Sequence, residues 1–182
     1  MAEQYALRIA SSWDGAPLDS EEHAFVGLSF LDGLTVTIDA PFHSDPPPPR
    51  APGRTPGLWQ YEAVELFVAS RSGSYLEVEV GPHGHYWLLR FRGTRDLERD
   101  DFELENLETR GSGKRWQAKL HIPSAWLPID IAIANAYSVH GPGIARRYEA
   151  CHPVPGPAPD FHQLGFFRPL RADGDPVNFS CG

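Results

Sequence analysis

The side chains of this sequence best suited to chemistry are carboxylates, guanidiniums and aromatic rings spaced two residues apart. Glu65, Phe67, Tyr75, Glu77 and Glu79 alternate with Val64, Leu66, Val68, Leu76, Val78 and Val80, and Tyr86, Arg90 and Arg92 follow closely. Alternation with a period of two is the signature of β-strands, whose successive side chains point to opposite faces. If the valines and leucines share a core face, the glutamates must share the other, because a slip of one residue would turn every side chain over. Continued into the next strand, the same parity sends Trp87, Leu89 and Phe91 to the core and leaves Tyr86, Leu88, Arg90 and Arg92 beside the glutamates. Such a surface suits a polar, ring-shaped ligand such as a sugar: charged groups hydrogen-bond hydroxyls and an aromatic face stacks on C–H patches. A wet sheet face with cross-strand Glu/Arg pairs has the same pattern.

The elements that must position these groups read as strands throughout. Tyr5–Trp13 is a first strand; Ala24–Leu31 and Leu34–Ala40 flank Asp32-Gly33, a strong two-residue hairpin signal. Segments 62–68, 75–80 and 86–92 form a three-stranded meander, 101–109 and 115–122 pair around Gly111-Ser112-Gly113, and further strands fall at 129–139, 144–150 and 164–169. Residues 43–57 carry Pro46-Pro47-Pro48-Pro49 and cannot be an interior strand, because proline offers no ladder donor. The chain of 182 residues, with 18 prolines and 17 glycines but no repeat, is expected to be one domain over 1–182. Its predicted class is all-β, a two-sheet antiparallel β-sandwich of jelly-roll type, with a stiff proline-rich loop at 43–57 and a weakly held tail at 171–182.

The net charge of −8 and the lack of basic runs argue against nucleic acid or an anionic membrane as partner. No apolar run is long enough to span a bilayer, and the start Met1-Ala2-Glu3-Gln4 has no basic and apolar leader, so the chain reads as cytoplasmic. Cys151 and Cys181 have no metal-type spacing; a disulfide between them is an open alternative.

Five segments in order carry a family resemblance: Trp59-Gln60-Tyr61-Glu62-Ala63-Val64-Glu65-Leu66-Phe67; Tyr75-Leu76-Glu77-Val78-Glu79-Val80-Gly81-Pro82-His83-Gly84; Trp116-Gln117-Ala118-Lys119-Leu120-His121-Ile122-Pro123; Ala134-Asn135-Ala136-Tyr137; and Pro159-Asp160-Phe161-His162-Gln163-Leu164-Gly165-Phe166. Over about residues 55–170 the chain resembles family 9 carbohydrate-binding modules and the wider DOMON-like domains, especially an uncharacterised small-protein branch. The resemblance implies a jelly-roll sandwich holding a sugar between two tryptophans, with glutamate, arginine and asparagine completing the site. Trp59 and Glu65 match the first tryptophan and the glutamate, Asn135 the asparagine, and Arg90 more loosely the arginine. The second tryptophan has no counterpart; Ser138 stands near its place, beside Tyr137. The expected ligand-binding set is therefore Trp59, Glu65, Glu77, Glu79, Arg90, Asn135 and Tyr137, with Tyr86, Tyr148 and His162 as secondary candidates and no catalytic residue. The ligand is sugar-like and no cofactor is predicted, although the resemblance leaves room for a structural calcium ion, which would take several oxygen ligands.

Three other readings stay open. Glu65 and Glu79, as neighbours on one face, have the residue types of a glycosidase acid and base. His83 and His85 with a glutamate have the donors of a metal site. The proline-rich loop 43–57 is a natural contact for a protein partner. A His/Met haem site is disfavoured, since Met1 is the sole methionine.

Overall fold

The computed structural model describes residues 3–170 and is built almost entirely from strands. In chain order these are β1 (Glu3–Ile9), β2 (Ser11–Ser12), β3 (Ala24–Phe30), β4 (Leu34–Pro41), β5 (Gly53–Arg54), β6 (Ala63–Ser70), β7 (Tyr75–Val80), β8 (His85–Gly93), β9 (Asp96–Arg99), β10 (Glu108–Ser112), β11 (Arg115–Ile122), β12 (Ile131–His140), β13 (Arg147–Ala150) and β14 (Arg168–Pro169). Helical structure is confined to single 3₁₀ turns, including Leu58–Gln60 and Leu164–Phe166. No helix among the described residues is long and apolar enough to cross a membrane.

A five-stranded sheet in the order β1-β3-β4-β11-β10 packs on a nine-stranded sheet whose main path is β2-β13-β12-β6-β7-β8-β5; β9 adds to β8 and β14 to β12. All pairings are antiparallel except the two-residue β5/β8 ladder. Leu7, Val26, Leu28, Val36, Trp116 and Leu120 from one sheet meet Val64, Leu66, Val78, Leu88 and Ala136 from the other. This is the predicted antiparallel sandwich. The hairpin forms at the place read, but with three linking residues instead of two: Phe30 pairs with Leu34, and Leu31, Asp32 (φ 54°) and Gly33 (φ 126°) join β3 to β4, the last two with positive φ.

Two expectations need correction. The glutamate face of the meander is not a wet surface. Every residue of β6 and β7 is buried, and a second apolar cluster of Leu58, Phe67, Tyr75, Tyr137, Val154, Phe161 and Phe167 covers that face. Segment 152–167 lies over it as a third layer.

The parity of β8 is also inverted. The turn Gly81-Pro82-His83-Gly84, closed by Gly81 N–H donating to His85 O at 2.9 Å, pairs Val80 with Tyr86 and Glu79 with Trp87. Tyr86 and Leu88 therefore join the inter-sheet core, while Trp87, Leu89 and Phe91 share the face of the glutamates. With both faces of the sheet buried, hydrophobicity no longer distinguishes them, and the turn decides.

The proline-rich segment is tied down along its length. Glu62 accepts from the backbone N–H of His43 (2.9 Å) and Asp45 (3.2 Å), and Asp45 Oδ2 accepts from Gly141 N–H. The His43 ring stacks on His140 at 3.4 Å, and Thr55 Oγ1 meets His85 Nδ1 at 3.0 Å. His85 is thus committed to the loop. Among the described residues no three His, Cys, Asp or Glu side chains are grouped to hold a metal ion, so the structure gives no support to a His83/His85 centre. Burial raises the Cys151 thiol to about 11; Cys181 and the tail expected to be weakly held lie outside the described residues.

Candidate functional site

Strand register alone sets out a grid on the outer face of the larger sheet. Across β12, β6, β7 and β8 the first row reads Tyr137, Glu65, Glu79, Trp87 and the second Asn135, Phe67, Glu77, Leu89. Glu65 and Glu79 are direct cross-strand partners, and Glu77 lies on the same face, two residues from Glu79 along β7. Side chains directly opposite one another are about 5 Å apart at Cβ, so three carboxyls occupy one small patch.

All three are sealed from water, with exposures of 3 % for Glu65, 4 % for Glu77 and 0 % for Glu79. Neither Glu79 oxygen makes a hydrogen bond of normal geometry. The backbone N–H of Trp59 and the carboxyl of Glu77 are close enough to bear on its proton affinity without closing such a bond. Trp87 Nε1, opposite Glu79, is an unpaired donor. Desolvation pushes the Glu77 carboxyl up to about 8. Desolvation, reinforced by repulsion from the neighbouring carboxyls, pushes Glu65 and Glu79 well above the usual carboxylate range. Carboxyls perturbed by burial and by one another make this patch a functional-site candidate.

The surroundings separate the carboxyls into distinct roles. Arg146 donates to the carbonyls of Trp59 and Tyr61 (2.9 Å for the latter), which fixes the turn Leu58–Gln60, and its charge bears on Glu65. That turn presents the Trp59 side chain, 51 % exposed, beside the backbone N–H that faces Glu79. At the other end, His162 Nε2 is 3.8 Å from Glu77 Oε2, and His162 Nδ1 is 2.7 Å from the Tyr75 hydroxyl. Burial lowers His162 to about 4 and raises Tyr75 to about 12, so this pair is neutral near pH 7.

Of the residues predicted from sequence, the structure brings together Trp59, Glu65, Glu77 and Glu79, with Asn135 and Tyr137 directly beneath the covering layer. Asn135 is saturated: Nδ2 donates to the Tyr137 hydroxyl (2.7 Å) and His152 O (2.8 Å), while Oδ1 accepts from the N–H groups of His152 and Ala136, each at 2.9 Å. The Tyr137 ring is fully buried and stacks on Phe161 at 3.8 Å. These two residues anchor the segment that roofs the face, so Tyr137 offers no open stacking wall.

Arg90 is not part of the site. It pairs with Leu76 and so lies on the opposite face of the sheet, reaching Glu98 at 3.0 Å and the carbonyls of Ala125 and Trp126. Tyr86, on that same face, donates its hydroxyl to Glu103. Tyr148 sits near the site, packed edge-on to Phe161. Sequence reasoning missed Arg146, whose partners are carbonyls more than 80 residues away, and Trp87, which the register of the 81–84 turn would have placed.

No protein-family model matches the chain. It is similar to the UPF0462 protein C4orf33 homolog of Mus musculus, 36 % identical over 174 residues that cover 90 % of each protein. The UPF0462 protein C4orf33 of Homo sapiens is 37 % identical over 172 residues, 89 % of this chain and 85 % of the relative. The homolog of Danio rerio is 37 % identical over 175 residues, 88 % and 85 % of the two chains. Among solved structures, a protein from Bacteroides uniformis described as a "putative carbohydrate-binding protein" superposes with a TM-score of 0.64 over 91 % of this chain and 84 % of its own, at 14 % identity. That likeness is one of fold.

Proposed function

The chain belongs to the UPF0462 family, and we propose that it is a non-catalytic module that binds a carbohydrate or similar polyhydroxylated small molecule at the patch between Trp59 and the three glutamates. The observation that carries this reading is the pairing of an exposed indole with a buried carboxyl, Glu79, that lies next to the indole's own backbone and leaves both oxygens without hydrogen bonds of normal geometry. Aromatic faces stack on the apolar side of sugar rings, and buried polar groups without partners are the groups a ligand satisfies with gain. The description of the structural neighbour supports a binding role, as does the resemblance of Trp59, Glu65 and Asn135 to the family 9 carbohydrate-binding and DOMON-like pattern. Arg146, held by the Trp59 and Tyr61 carbonyls, takes the place first assigned to Arg90 as the arginine nearest the site.

A thermal-shift screen of the purified protein against mono- and disaccharides, calcium and a chelator tests the proposal, since a ligand that prefers the folded state raises the melting temperature. At least one saccharide is expected to raise it, and Trp59→Ala to abolish that rise while leaving the unliganded protein folded. A saccharide response untouched by Trp59→Ala, or no response from any saccharide, would sink the reading.

One observation favours a second reading, glycoside hydrolysis. Glu65 and Glu79 oppose each other across adjacent strands, and a raised proton affinity suits the acid of such a pair, whose partner has to ionise. Release of nitrophenol from p-nitrophenyl glycosides, lost in both Glu65→Gln and Glu79→Gln, would establish it; absence of turnover across a panel of such substrates returns the site to binding alone.

A further inference from the structure

We infer that this site selects a ligand bearing a protonated amine, binding an amino sugar in preference to its neutral parent, because Glu65, Glu77 and Glu79 form a buried acidic patch whose centre has no cation of its own. The inference rests on the binding reading above and names its ligand class. Three features of the patch lead to it.

The first is the imbalance of charge. Among the described residues no ion pair reaches Glu65 or Glu79, and the contact of Glu77 with His162, at 3.8 Å, is to a ring that burial holds neutral. The charge of Arg146 bears on Glu65 and that of Arg95 on Glu77, but Arg146 is held by backbone carbonyls and Arg95 by Asp160 at 2.6 Å, and neither bears on Glu79 at the centre. A buried carboxyl must either hold its proton or meet a cation.

The second is that Glu79, with no exposure at all, leaves both oxygens without hydrogen bonds of normal geometry. An ammonium group carries three donors and a full charge, which would satisfy oxygens from two carboxyls at once through charge-assisted bonds. A neutral hydroxyl has one donor and no charge, and would leave the patch protonated.

The third is the aromatic frame. Trp59 lies beside Glu79 through its backbone, Trp87 is Glu79's cross-strand partner, and Tyr61 follows in the same turn. The exposed Trp59 indole is the aromatic surface beside the patch, and indole faces attract cations as well as sugar C–H patches.

Such binding has a proton balance. The patch holds protons in the free protein, and an incoming ammonium displaces them, so complex formation releases protons to the buffer. Affinity for the amine therefore rises with pH until the amine itself deprotonates.

Isothermal titration calorimetry near pH 7 with three matched pairs tests this: D-glucosamine and D-glucose, D-galactosamine and D-galactose, D-mannosamine and D-mannose. In at least one pair the amino sugar is expected to bind about tenfold tighter or better than its parent. Its heat should vary with the ionisation enthalpy of the buffer in the sense of proton release. In Glu79→Gln, which keeps the shape of the side chain, the preference should fall by most of that factor. Glu65→Gln serves as the second variant if Glu79→Gln does not fold. Parent sugars that bind as tightly as the amino sugars overturn this inference and leave the binding reading standing. No binding by any member of the pairs, nor by any saccharide of the wider screen, overturns both.

Discussion

Glu77 shows how far burial alters a single residue. Its carboxyl is raised to about 8, so between the ordinary carboxylate range and that value the folded protein holds a proton that the unfolded chain gives up. The stability it contributes is complete below the unfolded pKa and is lost as pH rises toward about 8, at up to roughly 1.4 kcal/mol per pH unit. Glu65 and Glu79 act in the same direction. His43, His85, His152 and His162 oppose them at lower pH, because burial lowers each and the unfolded chain takes up protons first as the solution is acidified. Denaturant unfolding should therefore show stability increasing as pH falls from about 8 to about 6.5, and Glu77→Gln should flatten that limb. A stability that climbs toward pH 8 in the wild type would contradict the protonated patch.

Asn135 makes the complementary point. Its spacing with Tyr137 was legible in the sequence, but its role depends on His152, 17 residues away in a proline-rich segment with no period to place it. Asn135→Ala strands the backbone N–H and C=O of His152, and should cost about 2–3 kcal/mol in a urea titration.

Among the elements, legibility followed local chemistry. The β3/β4 hairpin was readable because Asp32-Gly33 encodes its own turn, whereas β9 was not, because all four of its residues are exposed and Leu97 is its single apolar side chain, too few to show alternation. The face assignment of β8 failed for a different reason. Its residues alternate between two apolar environments, and only the geometry of residues 81–84 says which is which. The turn Leu58–Gln60 is likewise set by a distant partner, since Arg146 holds the carbonyls of Trp59 and Tyr61. Arg146→Met keeps most of the aliphatic bulk and removes those donors. The amides of Gln60 and Tyr61, which close the turn onto Gly57 and Leu58, should then exchange with deuterium faster than in the wild type, by about tenfold or more, while the β6 amides keep their protection.

At the scale of the molecule, the larger sheet is buried on both faces: one meets the five-stranded sheet, and the other is roofed by segment 152–167. The sandwich was visible in the sequence because turn signals and strand periods repeat along the whole chain. The roof was not, because proline-rich segments carry no period, and its attachment runs through single contacts such as Phe161 on Tyr137. Phe161→Ala should cost about 3–4 kcal/mol by opening a cavity above Tyr137, and should bring the carboxyls toward ordinary pKa values as water enters.

The central claim, that ligand is bound at the Trp59 and glutamate patch, is tested most directly by the tryptophan indole N–H signals of ¹⁵N-labelled protein titrated with a saccharide that raises its melting temperature. The five tryptophans divide cleanly: Trp13, Trp59 and Trp87 belong to the outer side of the larger sheet, while Trp116 and Trp126 belong to the inter-sheet core. Binding at the proposed site predicts saturable shifts of Trp59 and Trp87, with Trp116 and Trp126 unmoved. Shifts confined instead to the backbone around Thr37, Asp39, Gln117 and Lys119, which line a cleft of about 540 Å³ on the outer face of the five-stranded sheet, would contradict it.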